Sequence, residues 1–99
     1  MKYVYLAKMT MEDNAYLVRF PDIEEISTFG SDLYEALEMA EDALNLALMD
    51  MEDSNELIPA ASDIRKVKVD VENAFVTLIK ADTDSYRKLL ADMKNRGEL

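Results

Sequence analysis

The hydrophobic pattern of this chain changes its period at Gly30, and this change constrains the fold more than any other feature. Before Gly30 the apolar residues fall in short β-prone runs, at Lys2 to Thr10, Tyr16 to Phe20 and Ile26 to Phe29. These runs predict the three strands of a meander. After Gly30 apolar residues recur every three or four positions, which predicts one long amphipathic helix.

Turn signals separate the predicted strands. The largely polar segment Met11 to Asn14 ends in an asparagine that tolerates a left-handed backbone, so it predicts a hairpin turn. Pro21 ends the second strand because it has no amide proton for a ladder. We expect a short loop over Asp22 to Glu25 before the third strand.

Capping signals mark the start of the helix. Ser31 or Asp32 can accept hydrogen bonds from the first amides, and Asp32 with Glu35 approximates a capping box. The helix is expected from near Asp32 to near Asp53. Its predicted stripe against the sheet consists of Leu33, Ala36 or Leu37, Ala40, Ala43 or Leu44, Ala47 and Met51.

The second half of the chain adds a strand and a helix. Pro59 lies in an irregular crossing, and two β-prone stretches follow it, at Lys66 to Val71 and at Ala74 to Lys80. The later stretch is the better candidate for a sheet strand, while the earlier one predicts an edge strand or an extended lead-in. A last helix follows Asp82 to Asp84 and stops at Gly97. The order βββ-α-β-α predicts a two-layer α+β sandwich.

Composition narrows the classes of function. The 99 residues fit one domain and include no cysteine and no histidine, which excludes a disulfide framework, a thiolate nucleophile and a Cys-based zinc site. The formal net charge is −10, which repels nucleic acid. Such acidity fits either a merely soluble surface or the steering of a basic partner. No apolar run is long enough to cross a bilayer, so we expect a cytoplasmic protein.

Four short motifs follow one another in an order typical of one family. Phe20-Pro21-Asp22 is followed by Thr28-Phe29-Gly30, then by Asp32-Leu33-Tyr34-Glu35-Ala36, and then by Ile58-Pro59. In this succession the chain resembles the HicB antitoxin family over about Tyr3 to Tyr86. Most of the motif residues are expected to be fold determinants, since Pro21 ends a strand, Gly30 permits a sharp turn and the helix alanines allow close packing.

The resemblance implies a partial ribonuclease H-like domain without catalytic activity. It also implies a partner, HicA, which is a small basic toxin that cleaves messenger RNA. After Tyr86 too few residues remain for the DNA-binding segment that most relatives carry, so one domain over residues 1–99 without operator binding is expected. The alternative is an orphan regulatory or scaffold module of the same fold that has no toxin.

Catalysis and cofactors are not expected. A ribonuclease H-type metal site needs an acid in a central strand, and the first strand, from Tyr3 to Met9, offers none. No cofactor motif is present either. We expect neither DNA nor a membrane as a partner.

The acidic turns are the predicted contact sites for a basic partner. Glu12 and Asp13 lie at one hairpin tip, whereas Asp22, Glu24 and Glu25 lie in the next connection, at the opposite end of a meander. One set, with preference for Asp22 to Glu25, is predicted to pair with Lys or Arg of the toxin.

Self-association is a further expectation. We expect a homodimer or a higher oligomer, formed through a sheet edge at Lys2 to Thr10 or at Lys66 to Val71. Lys66 and Lys68 would oppose pairing at the second edge.

Overall fold

The computed structural model describes residues 1–69 and 71–98. Four strands form one antiparallel sheet in the order β3-β2-β1-β4, and two helices complete the fold. The elements are β1 (Lys2–Glu12), β2 (Ala15–Phe20), β3 (Ile23–Gly30), α1 (Leu33–Asp53), β4 (Ala74–Asp82) and α2 (Thr83–Asn95), with a short 3₁₀ helix at Ile64–Lys66. The predicted order βββ-α-β-α is confirmed.

The β1–β2 hairpin closes through a two-residue turn. Asp13 and Asn14 both have positive φ, at 49° and 65°, and Glu12 pairs with Ala15 across the turn. Two successive left-handed residues match the twist of the flanking strands. The predicted turn is confirmed, although β1 continues through Met11 and Glu12 into the predicted turn segment.

The third strand begins earlier than predicted. Ile23 pairs with Phe20 and is buried, so the prediction of a loop over Asp22 to Glu25 is wrong for Ile23, Glu24 and Glu25. The next pair is Arg19 with Ser27, which leaves residues 24–26 without partners on β2. This bulge interrupts the alternation from which a strand is recognised, and the two exposed glutamates look like loop residues.

Helix α1 packs on one face of the sheet. Asp32 caps it by accepting a hydrogen bond from the Glu35 amide at 2.7 Å, and Glu35 Oε1 accepts one from the Ser31 amide at 3.0 Å. In a regular capping box the Glu35 carboxylate would accept from the amide of the cap residue Asp32; here it accepts from the amide of Ser31, one residue earlier. The buried residues of α1 are Ala36, Ala40, Leu44, Asn45, Leu48 and Met51, while Leu33 and Leu37 of the predicted stripe are exposed.

The connection from α1 to β4 is tied down at both ends. The Tyr5 hydroxyl donates to the Pro59 carbonyl, and Ser62 donates to Asp22. Near β4, the Met11 amide donates to the Asn73 carbonyl at 2.8 Å. The 3₁₀ helix between these ties lies against β4.

Of the two alternatives predicted for Lys66 to Val71, the edge strand is wrong for residues 66–69 and 71, which form no strand, and Val67 has the extended backbone of a lead-in. Asp70 lies outside the described residues. The alternation of charge and valine produces no ladder here, and the sheet has four strands in the described part of the chain.

Pairing between β1 and β4 places β1 inside the sheet. Residues Lys2 to Thr10 pair with Ala74 to Asp82 along their whole length, so the prediction of a sheet edge at Lys2 to Thr10 is wrong. In the part of the chain that the structure describes, the sheet edges are β3 and β4. No helix among residues 1–69 and 71–98 is long and apolar enough to span a membrane.

Candidate partner-binding surface

The predicted acidic contact residues lie at two ends of the sheet. Glu12 and Asp13 are exposed at the β1–β2 turn, and Asp22 follows Pro21 in the β2–β3 turn. Glu24 and Glu25 are exposed in the β3 bulge. The two predicted sets are therefore separated, as expected of a meander.

Asp22 has a partner within the chain. Its carboxylate accepts hydrogen bonds from the Ser62 amide at 2.7 Å and from the Ser62 hydroxyl at 2.6 Å. Two charge-assisted bonds across 40 residues of sequence fix the connection to the sheet. An incoming cation would compete with these bonds.

The neighbouring glutamates differ in their surroundings. Glu24 lines a depression of about 510 Å³ together with Lys8 and Arg19, which pair directly across β1 and β2. The cations near Glu24 therefore belong to its own chain. Glu25 is exposed and does not line this depression. The three acids predicted as one contact set do not share one environment.

A second surface follows the edge strand β4. Three adjoining depressions of about 590, 370 and 170 Å³ lie along β4, between α1 and the start of α2, and Glu41 lines all three. We call this surface the β4 groove. Its defining residues are Val4, Leu37, Glu41, Asn45, Leu78 and Leu89.

The charge of α1 makes one wall of the groove acidic. This helix carries seven acidic side chains and no Lys or Arg. The opposite wall is mixed, since Lys2 and Lys80 lie there with Asp82, whose carboxylate caps α2 by accepting from the Ser85 amide at 3.2 Å.

Asn45 contributes a buried polar atom to the groove. Its side chain is buried at 3% exposure and lines the depression that also contains Tyr86 and Leu89. The Asn45 Nδ2 atom donates to the Glu41 carbonyl at 3.0 Å, whereas Oδ1 is buried without a hydrogen-bond partner. An amide flip would not help, because the Glu41 carbonyl can only accept. The unpartnered atom is therefore an acceptor.

A polar cluster links α2 to α1. Glu52 Oε2 accepts from the Tyr3 hydroxyl at 2.7 Å and from the Thr83 hydroxyl at 2.9 Å, and Glu52 Oε1 accepts from Arg87 at 3.0 Å. Arg87 also pairs with Asp53 at 2.9 Å.

The cluster shifts the pKa values of its members. Burial acts to raise the pKa of Glu52, but the hydrogen bonds from Tyr3, Arg87 and Thr83 outweigh it and hold that pKa below its ordinary value. Burial, followed by the bond to Glu52, raises the pKa of Tyr3 to about 12. At neutral pH the phenol is protonated and the carboxylate is charged, so each keeps its role in the bond.

The sequence contained a signal for the groove that composition alone does not reveal. Asn45 interrupts the apolar stripe of α1, and a buried side-chain amide at such a position normally has hydrogen-bond partners or a functional role. The stripe was predicted to contain Ala36 or Leu37; Ala36 is the buried one, and Leu37 lies at the groove. Among the described residues no group of three or more His, Cys, Asp and Glu side chains is arranged to hold a metal ion.

Comparison with known proteins places the chain in a family. The family model described as HicB_like antitoxin of bacterial toxin-antitoxin system matches residues 4–82. The curated protein Antitoxin HicB 1 of Photorhabdus laumondii is 44% identical over 61 residues, which cover 62% of this chain and 39% of that protein. This chain therefore spans about two fifths of the length of that relative.

Solved structures show the same fold. A chain of a toxin-antitoxin complex from Streptococcus pneumoniae matches with a TM-score of 0.79 at 26% identity, covering 87% of this chain and 73% of that chain. A chain of the HicA3 and HicB3 toxin-antitoxin complex matches with a TM-score of 0.68 at 16% identity, covering 81% of this chain and 99% of that chain. The predicted α+β, degenerate ribonuclease H-like fold is confirmed, and the chain belongs to the HicB-like antitoxin family.

Proposed function

We propose that this protein is a non-catalytic antitoxin that acts in the cytoplasm by binding and neutralising a small basic HicA-like toxin that cleaves messenger RNA. The family match over residues 4–82 carries the proposal. The likeness to a chain of the Streptococcus pneumoniae toxin-antitoxin complex at 26% identity supports it.

Electrostatics supply a physical reason for neutralisation. An enzyme that cleaves RNA has to attract a phosphate backbone, and it does so with Lys and Arg side chains around its active site. A chain with a net charge of −10 is attracted to the same cationic surface. An antitoxin bound there excludes RNA without any chemistry of its own.

Co-expression with the basic protein encoded beside this gene tests the proposal. The tag is placed on this chain alone, and an unrelated protein of similar acidity serves as the control for nonspecific charge attraction. We expect a stable complex with this chain but not with the control, rescue of growth, and RNA cleavage by the partner after its release. The absence of both co-purification and growth rescue would contradict the proposal and favour an orphan module of the same fold.

A further inference from the structure

The β4 groove exposes apolar side chains next to one another. Val4 is 52% exposed, Leu78 is 50% exposed and Leu89 is 48% exposed, and all three line adjoining depressions. Isolated exposed apolar residues are common, but a contiguous group beside polar residues is typical of a protein interface. The edge strand β4 adds backbone groups that do not pair with another strand of the described chain.

The polar atoms of the groove define the chemistry of its ligand. Glu41 lines all three depressions, and Asn45, one helical turn further along α1, lines the smallest of them and has a buried acceptor without a partner. A carboxylate and an unpartnered amide oxygen together accept hydrogen bonds from one multivalent donor. A guanidinium or ammonium group has the required charge and several N–H donors.

We propose that the β4 groove receives a segment of the basic toxin in which a Lys or Arg is flanked by apolar side chains. The cation pairs with Glu41 and donates to Asn45, and the apolar neighbours pack on Leu37, Leu78 and Leu89. This inference rests on the proposed antitoxin function and names the surface through which it acts. Charge favours the toxin over a second copy of this chain, because two copies would bring together two α1 helices with seven acids each.

Dissociation kinetics of the complex with the basic protein encoded beside this gene provide the test. The variants Glu41→Lys and Leu78→Ser change exposed groove residues, and circular dichroism checks that they fold. We expect each to raise the dissociation rate at least about tenfold, as for contacts in the centre of an interface.

Each groove variant has a matched control. Glu56→Lys makes the same charge change as Glu41→Lys at an exposed residue in the connection after α1, outside the groove and outside the predicted acidic contact set. Leu57→Ser makes the same change as Leu78→Ser at a residue that is almost fully exposed in the connection after α1. Both controls are expected to leave the dissociation rate within about twofold of wild type, since charges and side chains outside the contact surface affect mainly association.

Asn45→Leu separates a binding role from a structural one. Leucine has nearly the same branched shape but no acceptor, so the free chain is expected to unfold at a higher temperature once the unpartnered oxygen is removed. The same variant is expected to dissociate from the toxin faster. A gain in stability together with a loss of binding would not arise if Asn45 served only the packing of α1.

The possible failures can be distinguished. If the wild-type chain does not bind the basic protein at all, the antitoxin proposal fails and the groove proposal fails with it. If the wild type binds and the groove variants dissociate at the wild-type rate, only the groove proposal is overturned. Faster dissociation for Glu25→Lys on β3, with the groove variants unchanged, would overturn it in favour of β3. Loss of self-association in Leu78→Ser with unchanged toxin binding would overturn it in favour of a second copy.

Discussion

At Gly30 the end of β3 lies directly against the backbone at the start of α1. A Cβ atom at this position would lie 2.3 Å from the Ala36 amide nitrogen and 2.6 Å from the Ala36 Cα. These are backbone atoms at the start of α1 and cannot move aside alone. Gly30→Ala is therefore expected to lower the free energy of unfolding by roughly 1 to 3 kcal/mol, measured by urea denaturation.

Gly97→Ala serves as the comparison for Gly30→Ala. Gly97 has a φ of +75°, and a Cβ atom there would meet no other atom within 4 Å, so only backbone strain of about 1 kcal/mol is expected. A smaller loss at position 30 than at position 97 would contradict the steric argument.

Glu52 is the residue whose charge holds α2 in place. Because its pKa in the folded chain is held below the unfolded value, its contribution to stability is present above about pH 4.5 and is lost as pH falls further, through the folded pKa. Glu52→Gln is expected to cost about 1 to 3 kcal/mol at pH 7, since the charged bond to Arg87 is lost. Urea denaturation at several pH values should show wild type and variant converging below pH 4.5. A difference in the free energy of unfolding that stayed constant down to pH 3 would contradict this role. Glu98→Gln, in the exposed ion pair with Arg96, is the control.

At the scale of elements, the hydrogen bonds between Asp22 and Ser62 are one of the ties that hold the connection after α1 to the sheet. Asp22→Ala removes both hydrogen bonds to Ser62 and is expected to cost roughly 1 to 2 kcal/mol. Hydrogen exchange should become faster at the Ser62 amide and at its neighbours in the connection. Asp63→Ala removes only contacts to Arg65, two residues away, and is expected to leave the Ser62 amide protected. Equal hydrogen-exchange rates at the Ser62 amide in both variants would show that Asp22 does not hold the connection.

Elements with local signals were predictable from the sequence. Asp32 and Glu35 marked the start of α1, Asn14 marked the hairpin, and Gly97 marked the end of α2, where its amide donates to the Lys94 carbonyl. Each signal acts within about four residues. The start of β3 at Ile23 and the absence of a strand at residues 66–69 depend on partners elsewhere in the fold. Local pattern therefore placed the start of β3 too late and could not decide between an edge strand and an extended lead-in at residues 66–69.

At the scale of the whole molecule, the order of the strands in the sheet could not be predicted from local sequence pattern. β4 lies beside β1 through pairs such as Tyr5 with Ile79, which are more than 70 residues apart in sequence. This pairing alone makes β1 internal and creates the β4 groove. The acids at Asp22, Glu24 and Glu25 were visible as a sequence cluster, whereas Glu41 and Leu78 become neighbours only in the folded chain.

The net charge of −10 leads to a prediction about the encounter with the toxin. Glu24→Lys combined with Glu25→Lys makes the net charge at β3 more positive by four units, so association should slow by roughly three- to tenfold and depend less steeply on salt. Stopped-flow association at several ionic strengths measures both effects. Glu56→Lys combined with Glu72→Lys makes the same change at two exposed residues elsewhere. Equal slowing in both double variants would mean that the overall electrostatic field of the chain steers the toxin. A larger effect at β3 would mean that Glu24 and Glu25 pair with the toxin directly. Unchanged association kinetics would exclude β3 as a contact site.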